Sequence, residues 1–274
     1  MVETIIFLLL IGLVIAGILV NPIVIKRRRN RLKRRPFRPL WHTIIEDNLP
    51  IYDCLSPSER KQLQGHIQVF LAEKQFIGCG GLQVTLEMKL IIAAVACLLL
   101  LNERGYYFPK LRTILVYPST YLVNETTSIG NLFVEERRVA RLGESWINDQ
   151  VILSWEQVKR DTTNWQDGHN VVLHEFAHQL DQEDGKAEGV PFLQQNSDYP
   201  IWAKVMTEEY QQLCTDIERG AKTVIDSYGA TNPAEFFAVA TETFFEKPQR
   251  LLKKHPAIYR LLQRYYQLDP VQWS

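Results

Sequence analysis

The chain has 274 residues, 46% of them hydrophobic and 23% charged, which excludes a disordered protein and gives enough material for one large domain or two small ones. Basic and acidic residues balance at 31 each, yet residues 26–38 hold nine basic residues and no acidic one, leaving 22 basic against 31 acidic elsewhere. A basic collar is therefore joined to an acidic body of net charge −9.

Residues 5–25 carry no charge and are interrupted only by Gly12, Gly17, Asn21 and Pro22. As a helix this run reaches about 31 Å, enough for a hydrocarbon core of about 30 Å. Glu3 replaces the basic flank of a signal peptide and no A-x-A-like cleavage site follows, so a retained transmembrane anchor is expected over residues 1–25. The collar then reads as a juxtamembrane linker over residues 26–40, held in the cytoplasm by the positive-inside rule. Beside a membrane segment, anionic lipid headgroups account for it more simply than direct nucleic-acid binding. Pro36, Phe37, Arg38 and Pro39 read as a short stiff connector.

Ser56, Pro57 and Glu59 have the pattern of a capping box with proline at the first helical position, and Leu63, Ile67, Phe70 and Leu71 follow at helical spacing. Gly78, Gly80 and Gly81 end that run without forming a phosphate loop. Residues 90–101 are all apolar, but twelve residues are too few to span a bilayer, and Glu87, Lys89, Asn102 and Arg104 bound them closely. A buried helix is expected there, completing a helical subdomain over residues 41–105. Short β-branched and aromatic runs at 113–117, 132–134 and 151–155 then predict two to four strands, and an edge strand among them could align an extended peptide. Gly143, Glu144, Ser145 and Trp146 fall between these runs. Further helices are expected over residues 199–218 and 232–246. Cys54, Cys79, Cys97 and Cys214 lack C-x-x-C spacing and read as reduced, partly buried thiols.

His174, Glu175, Phe176, Ala177 and His178 read H-E-x-x-H, on a helix expected to start near Asp167 or Asn170 and to run to about Glu183. Residues four apart stack on one helix face, so the two imidazoles can share one Zn²⁺ while Glu175 projects beside them as general base. Catalytic zinc takes three protein ligands and keeps a position for water. His169, five residues before His174, lies too far round the helix to share the ion. For the third ligand, Asp184 stands where a sharp turn after the helix would put it, but the turn glycine is replaced by Asp181. Glu235 is the competitor, following a cap at Asn232 and Pro233; it could equally be half of a capping box, and Glu242 a solvated carboxylate. Geometry leaves Asp184 and Glu235 nearly level.

The blocks HEFAHQLD (His174 to Asp181) and YGATNPAEFFA (Tyr228 to Ala238) resemble the Mlc titration factor A family of zinc peptidases, and also the catalytic domain of anthrax lethal factor. The resemblance covers roughly residues 40–270 and leaves out the anchor and collar. It implies an α+β, zincin-like domain with a small mixed sheet and mostly helices, the peptidase proper occupying residues 106–274. It also implies His174, His178 and Glu235 as zinc ligands, Glu175 as catalytic acid/base, and Tyr228 as hydroxyl donor to the developing oxyanion. Asp181, on the same face as His174, is expected to hydrogen-bond a ligand histidine. The expected activity is zinc-dependent peptide hydrolysis, with aminopeptidase action as the narrower expectation. The alternative is a regulatory protein that sequesters a transcriptional repressor.

Overall fold

The structure, a computed structural model, describes residues 2–102, 107–119, 149–183 and 185–273. The runs expected at 132–134 and around Gly143, and the ligand candidate Asp184, lie outside these residues.

Helix α1 (Val2–Lys33) takes in the uncharged segment and most of the collar without a break. Among the described residues no helix is long and apolar enough to cross a membrane. Residues expected to form a linker thus continue the helix and dock it on the body. The Arg29 guanidinium grips both Glu73 oxygens at 2.9 and 2.8 Å and lies 4.7 Å from the Tyr107 ring centroid. Gly65 lets the helices close up, since a Cβ there would stand 3.3 Å from Lys33 Cβ. The chain turns through Arg38, whose extended backbone (φ −71°, ψ 135°) suits the residue before a proline, into α2 (Pro39–Asn48) and the short α3 (Ile51–Cys54).

Helix α4 (Pro57–Glu73) has the expected capping box: Ser56 accepts from the Glu59 amide, and the Glu59 carboxylate accepts from the Ser56 amide at 2.7 Å. It ends earlier than the glycine cluster suggested, because Gln75–Gly78 forms strand β1. Buried Lys74 separates the two elements and donates to the carbonyls of Phe108 and Leu111 at 2.8 and 2.6 Å. Helix α5 (Leu86–Leu98) and the turn after it bury every residue from 90 to 101, packed against α2, α4 and the later metal helix. All-round apolarity is what a helix in the middle of a core requires.

Strands β2 (Thr113–Tyr117) and β3 (Gln150–Ser154) complete a sheet of order β1-β2-β3 among the described residues. Both pairings are parallel, with Phe76 opposite Ile114 and Ile114 opposite Val151, so among the described residues the sheet, expected to be mixed, is parallel. The reason is connection length: β1 reaches β2 only through α5, and such a crossover returns the chain to the end from which it started. The sheet joins strands on both sides of residue 105, and one core cluster runs from Ile45 to Trp273.

The carboxy-terminal half is helical: α6 (Trp155–Thr163), α7 (Val171–Asp181), α8 (Tyr199–Glu218), α9 (Pro233–Glu246), α10 (Pro248–Lys254) and α11 (Pro256–Tyr266). Trp155, expected at the end of a strand, instead opens α6, because Ser154 caps that helix by accepting from the Gln157 amide. The fold is α+β, with one small sheet and a predominance of helix.

All four cysteines are free thiols; Cys54 is exposed, and complete burial in α5 pushes the Cys97 thiol well above its ordinary pKa. A thiol-alkylating reagent on native protein should label Cys54 and spare Cys97 until denaturant is added. Peptide mass mapping before and after unfolding checks this.

Candidate metal centre

Helix α7 begins at Asn170, whose side-chain oxygen accepts from the Leu173 amide at 3.1 Å. Phe176 and Ala177 face the core, which turns His174 and His178 together toward α9, with ring centroids 4.8 Å apart. Helix α9 is capped by Asn232, which accepts from the Glu235 amide at 3.0 Å, with Pro233 at the first position. The Glu235 carboxylate points across to α7: its Oε2 lies 3.0 Å from His174 Nε2 and 3.4 Å from His178 Nε2, and the two Nε2 atoms are 3.2 Å apart.

These three atoms make a triangle of 3.0, 3.2 and 3.4 Å. Three corners of a tetrahedron around zinc, with ligands at about 2.0 to 2.1 Å, would be separated by about 3.3 to 3.4 Å. The donor set of two imidazoles and one carboxylate is that of a catalytic zinc site. Among the described residues these are the ones that form such a cluster, so the side chains fit the metal that the sequence pattern implies. His169 stands apart from them, with its Nε2 3.7 Å from Asp226.

Electrostatics follow from the same closeness. Burial alone would lower His174, but its hydrogen bonds with Glu235 and Glu242 outweigh this and raise it to about 10. Burial, with His174 beside it, holds His178 below its ordinary value. Glu235 resists burial through its histidine partners and is held down to about 2.

Glu175 is only 8% exposed, and its Oε1 has no hydrogen-bond partner. Burial is the main reason its pKa is pushed up to about 7. An unpartnered, buried carboxylate one residue from His174 is chemically poised to take up or give back a proton. Tyr228 sits on a 3₁₀ turn (Ser227–Ala230) capped by Asp226, which accepts from the Tyr228 amide at 2.8 Å. Its ring centroid lies 5.9 Å from that of His174, and the residue is 52% exposed, at the mouth of the cluster. Burial, and then Glu235, keep its pKa above the ordinary tyrosine value, so the hydroxyl remains a donor.

Two further carboxylates, Asp181 and Glu242, hold polar groups around the cluster. Asp181 accepts from the amides of Gly189 and Val190 at 2.9 and 2.6 Å, and Glu242 lies 2.8 Å from His174 Nδ1. Glu242 is buried, where a solvated surface group was an open reading. The signal that could have revealed it is spacing: seven residues after Glu235, it returns to the same helix face. Through Gly189, Asp181 also bears on the start of α9, the helix of Glu235. Gly189 has φ +73°, and a Cβ there would meet the Pro233 carbonyl oxygen at 2.3 Å. Gly189→Ala should therefore push the start of α9 away from α7, costing about 1–3 kcal/mol of stability and about tenfold or more in zinc affinity. Thermal unfolding and chelator competition measure the two effects.

The family model of the glucose-regulated metallo-peptidases M90 matches residues 24–267. The chain is 47% identical over 272 residues to the uncharacterized protein slr2042 of Synechocystis sp., with 99% of each chain covered. It is 30% identical over 227 residues to Mlc titration factor A of Klebsiella pneumoniae, covering 82% of this chain and 84% of the relative. The corresponding protein of Escherichia coli O7:K1 is 28% identical over 228 residues, covering 82% and 85%. A match through the whole body, including both α7 and α9, places the chain in the M90 metallopeptidases, the family of the Mlc titration factor A proteins.

Proposed function

We propose that the chain is a zinc-dependent peptidase with a zincin-like active centre, in which His174, His178 and Glu235 hold the metal. The observation that carries this reading is the triangle of ligand atoms beside the unpartnered carboxylate of Glu175. Zinc held there supplies Lewis acidity toward a peptide carbonyl and toward water. Glu175 takes the proton from the attacking water and delivers it to the leaving amine, a cycle suited to a carboxylate raised by burial. Tyr228 donates its hydroxyl to the oxyanion that develops on the substrate. Aminopeptidase action is the narrower form of this reading, supported by the family resemblance.

Glu175→Gln keeps the shape of the site and removes the base. Hydrolysis of an unblocked peptide should fall by about 10²- to 10⁴-fold with bound zinc unchanged. Wild-type turnover in that variant would sink the mechanism. The name of the Mlc titration factor A relatives favours a second reading, binding of a transcriptional regulator. Regulator binding that persists in the same variant while hydrolysis is lost would separate the two activities.

We further propose that residues 5–25 are retained as a membrane anchor and that the basic collar keeps the peptidase body in the cytoplasm. The absence of charge across those 21 residues supports this, as do the exposed Phe7, Leu10, Val20, Ile23 and Val24. Removal of residues 2–25 should shift the chain from the membrane pellet to the supernatant of a cell fractionation.

A further inference from the structure

The start of α7 is held by carboxylates from two other helices. Asp161 of α6 accepts from the Val171 amide at 2.8 Å. Glu246 of α9 accepts from the Gly168 amide at 2.9 Å and from the Asn170 side chain at 3.1 Å. Glu242, one turn earlier on α9, accepts from the Asn170 amide at 2.5 Å through Oε2. Such acceptors satisfy the free amides of a helix start and oppose the positive end of its dipole. All three are buried.

Glu242 differs from the other two in what its second oxygen touches. Its Oε1 lies 2.8 Å from His174 Nδ1, whereas His174 Nε2 faces Glu235 and His178. The metal-binding side of the ring is thus the Nε2 side, and Nδ1 is left to carry the ring proton. We propose that Glu242 is a positioning residue of the metal centre. One oxygen fixes the tautomer and rotation of His174; the other holds the start of the helix that carries it. Ligand and helix are thereby set against α9 by one side chain, and α9 also supplies Glu235. This rests on the metallopeptidase reading of the cluster.

Glu246 is the built-in comparison, because it clamps the same loop but its two oxygens meet Gly168 and Asn170 rather than His174. Glutamine is the informative substitution at both sites: it preserves volume but offers one acceptor where Glu242 faces two donors, His174 Nδ1–H and Asn170 N–H. Zinc affinity of the full chain, measured by competition with a chromogenic chelator, should fall about 10- to 100-fold in Glu242→Gln and stay close to wild type in Glu246→Gln. Both variants should lose thermal stability, since both weaken the clamp. Wild-type zinc affinity in Glu242→Gln, or an equal loss in Glu246→Gln, would overturn the assignment. Should Glu242→Gln not fold, ¹⁵N spectra of histidine-labelled, zinc-loaded wild type decide. A proton on His174 Nδ1 is expected, and its absence would overturn the proposal. A wild-type chain that takes up no zinc would instead overturn the metal reading itself, and this inference with it.

Discussion

The approach of α7 to α9 sets the distances among His174 Nε2, His178 Nε2 and Glu235 Oε2, and ångström-scale freedom in that approach would remove the metal-sized triangle. Neither helix can fix it alone. The two histidines are fixed relative to each other by one turn of backbone, but Glu235 belongs to a segment 57 residues beyond His178. Its placement depends on packing behind the helices and on polar ties between them.

The packing is aromatic. Phe176 on the rear of α7 meets Phe70 at 5.7 Å and Phe108 at 4.8 Å between ring centroids. On α9, Phe236 meets Tyr210, Phe237 meets Trp202, Phe244 meets Tyr259 and Phe245 meets Tyr266, all at 5.1 to 5.7 Å. Large rings in such offset and edge contacts resist sliding as well as separation. With these rear faces locked against α4, α8 and α11, the polar faces of α7 and α9 have one another as partners. Buried carboxylates are tolerated there because amides and imidazoles answer them.

Close backbone approach is the other requirement. Gly189, held by Asp181 and by the Trp202 indole on its carbonyl, lies directly on Pro233. The loop after α7 is thereby wedged against the first turn of α9, which carries Glu235. Glu175 and Tyr228 flank the result, one buried without a partner and one half in solvent. That contrast suits a proton carrier shielded from water and a donor that can meet an incoming substrate.

How much could be read from the chain depends on the range of each interaction. Local rules placed the Ser56–Glu59 capping box, the Asn170 and Asn232 caps, helix α8 to the residue, and the stacking of His174 on His178, because all of these act within a turn or two of backbone. Strand β1 was hidden: four residues carry too little periodicity, and only pairing with Thr113–Val116 makes them a strand. The parallel sense of the sheet was hidden too, since it follows from the crossover through α5. Between Asp184 and Glu235, spacing gave no decision, and Glu242 looked like surface. By itself the sequence determined the stacking of His174 on His178, the place of Glu175 beside them and the Asn232 cap of α9, since these are set by covalent spacing at 3.6 residues per turn. Only tertiary structure brings Glu235, which the family resemblance implied, onto both imidazoles and sets Glu242 against His174, because those contacts cross 57 to 68 residues of chain and exist only once the aromatic core has brought α7 and α9 together.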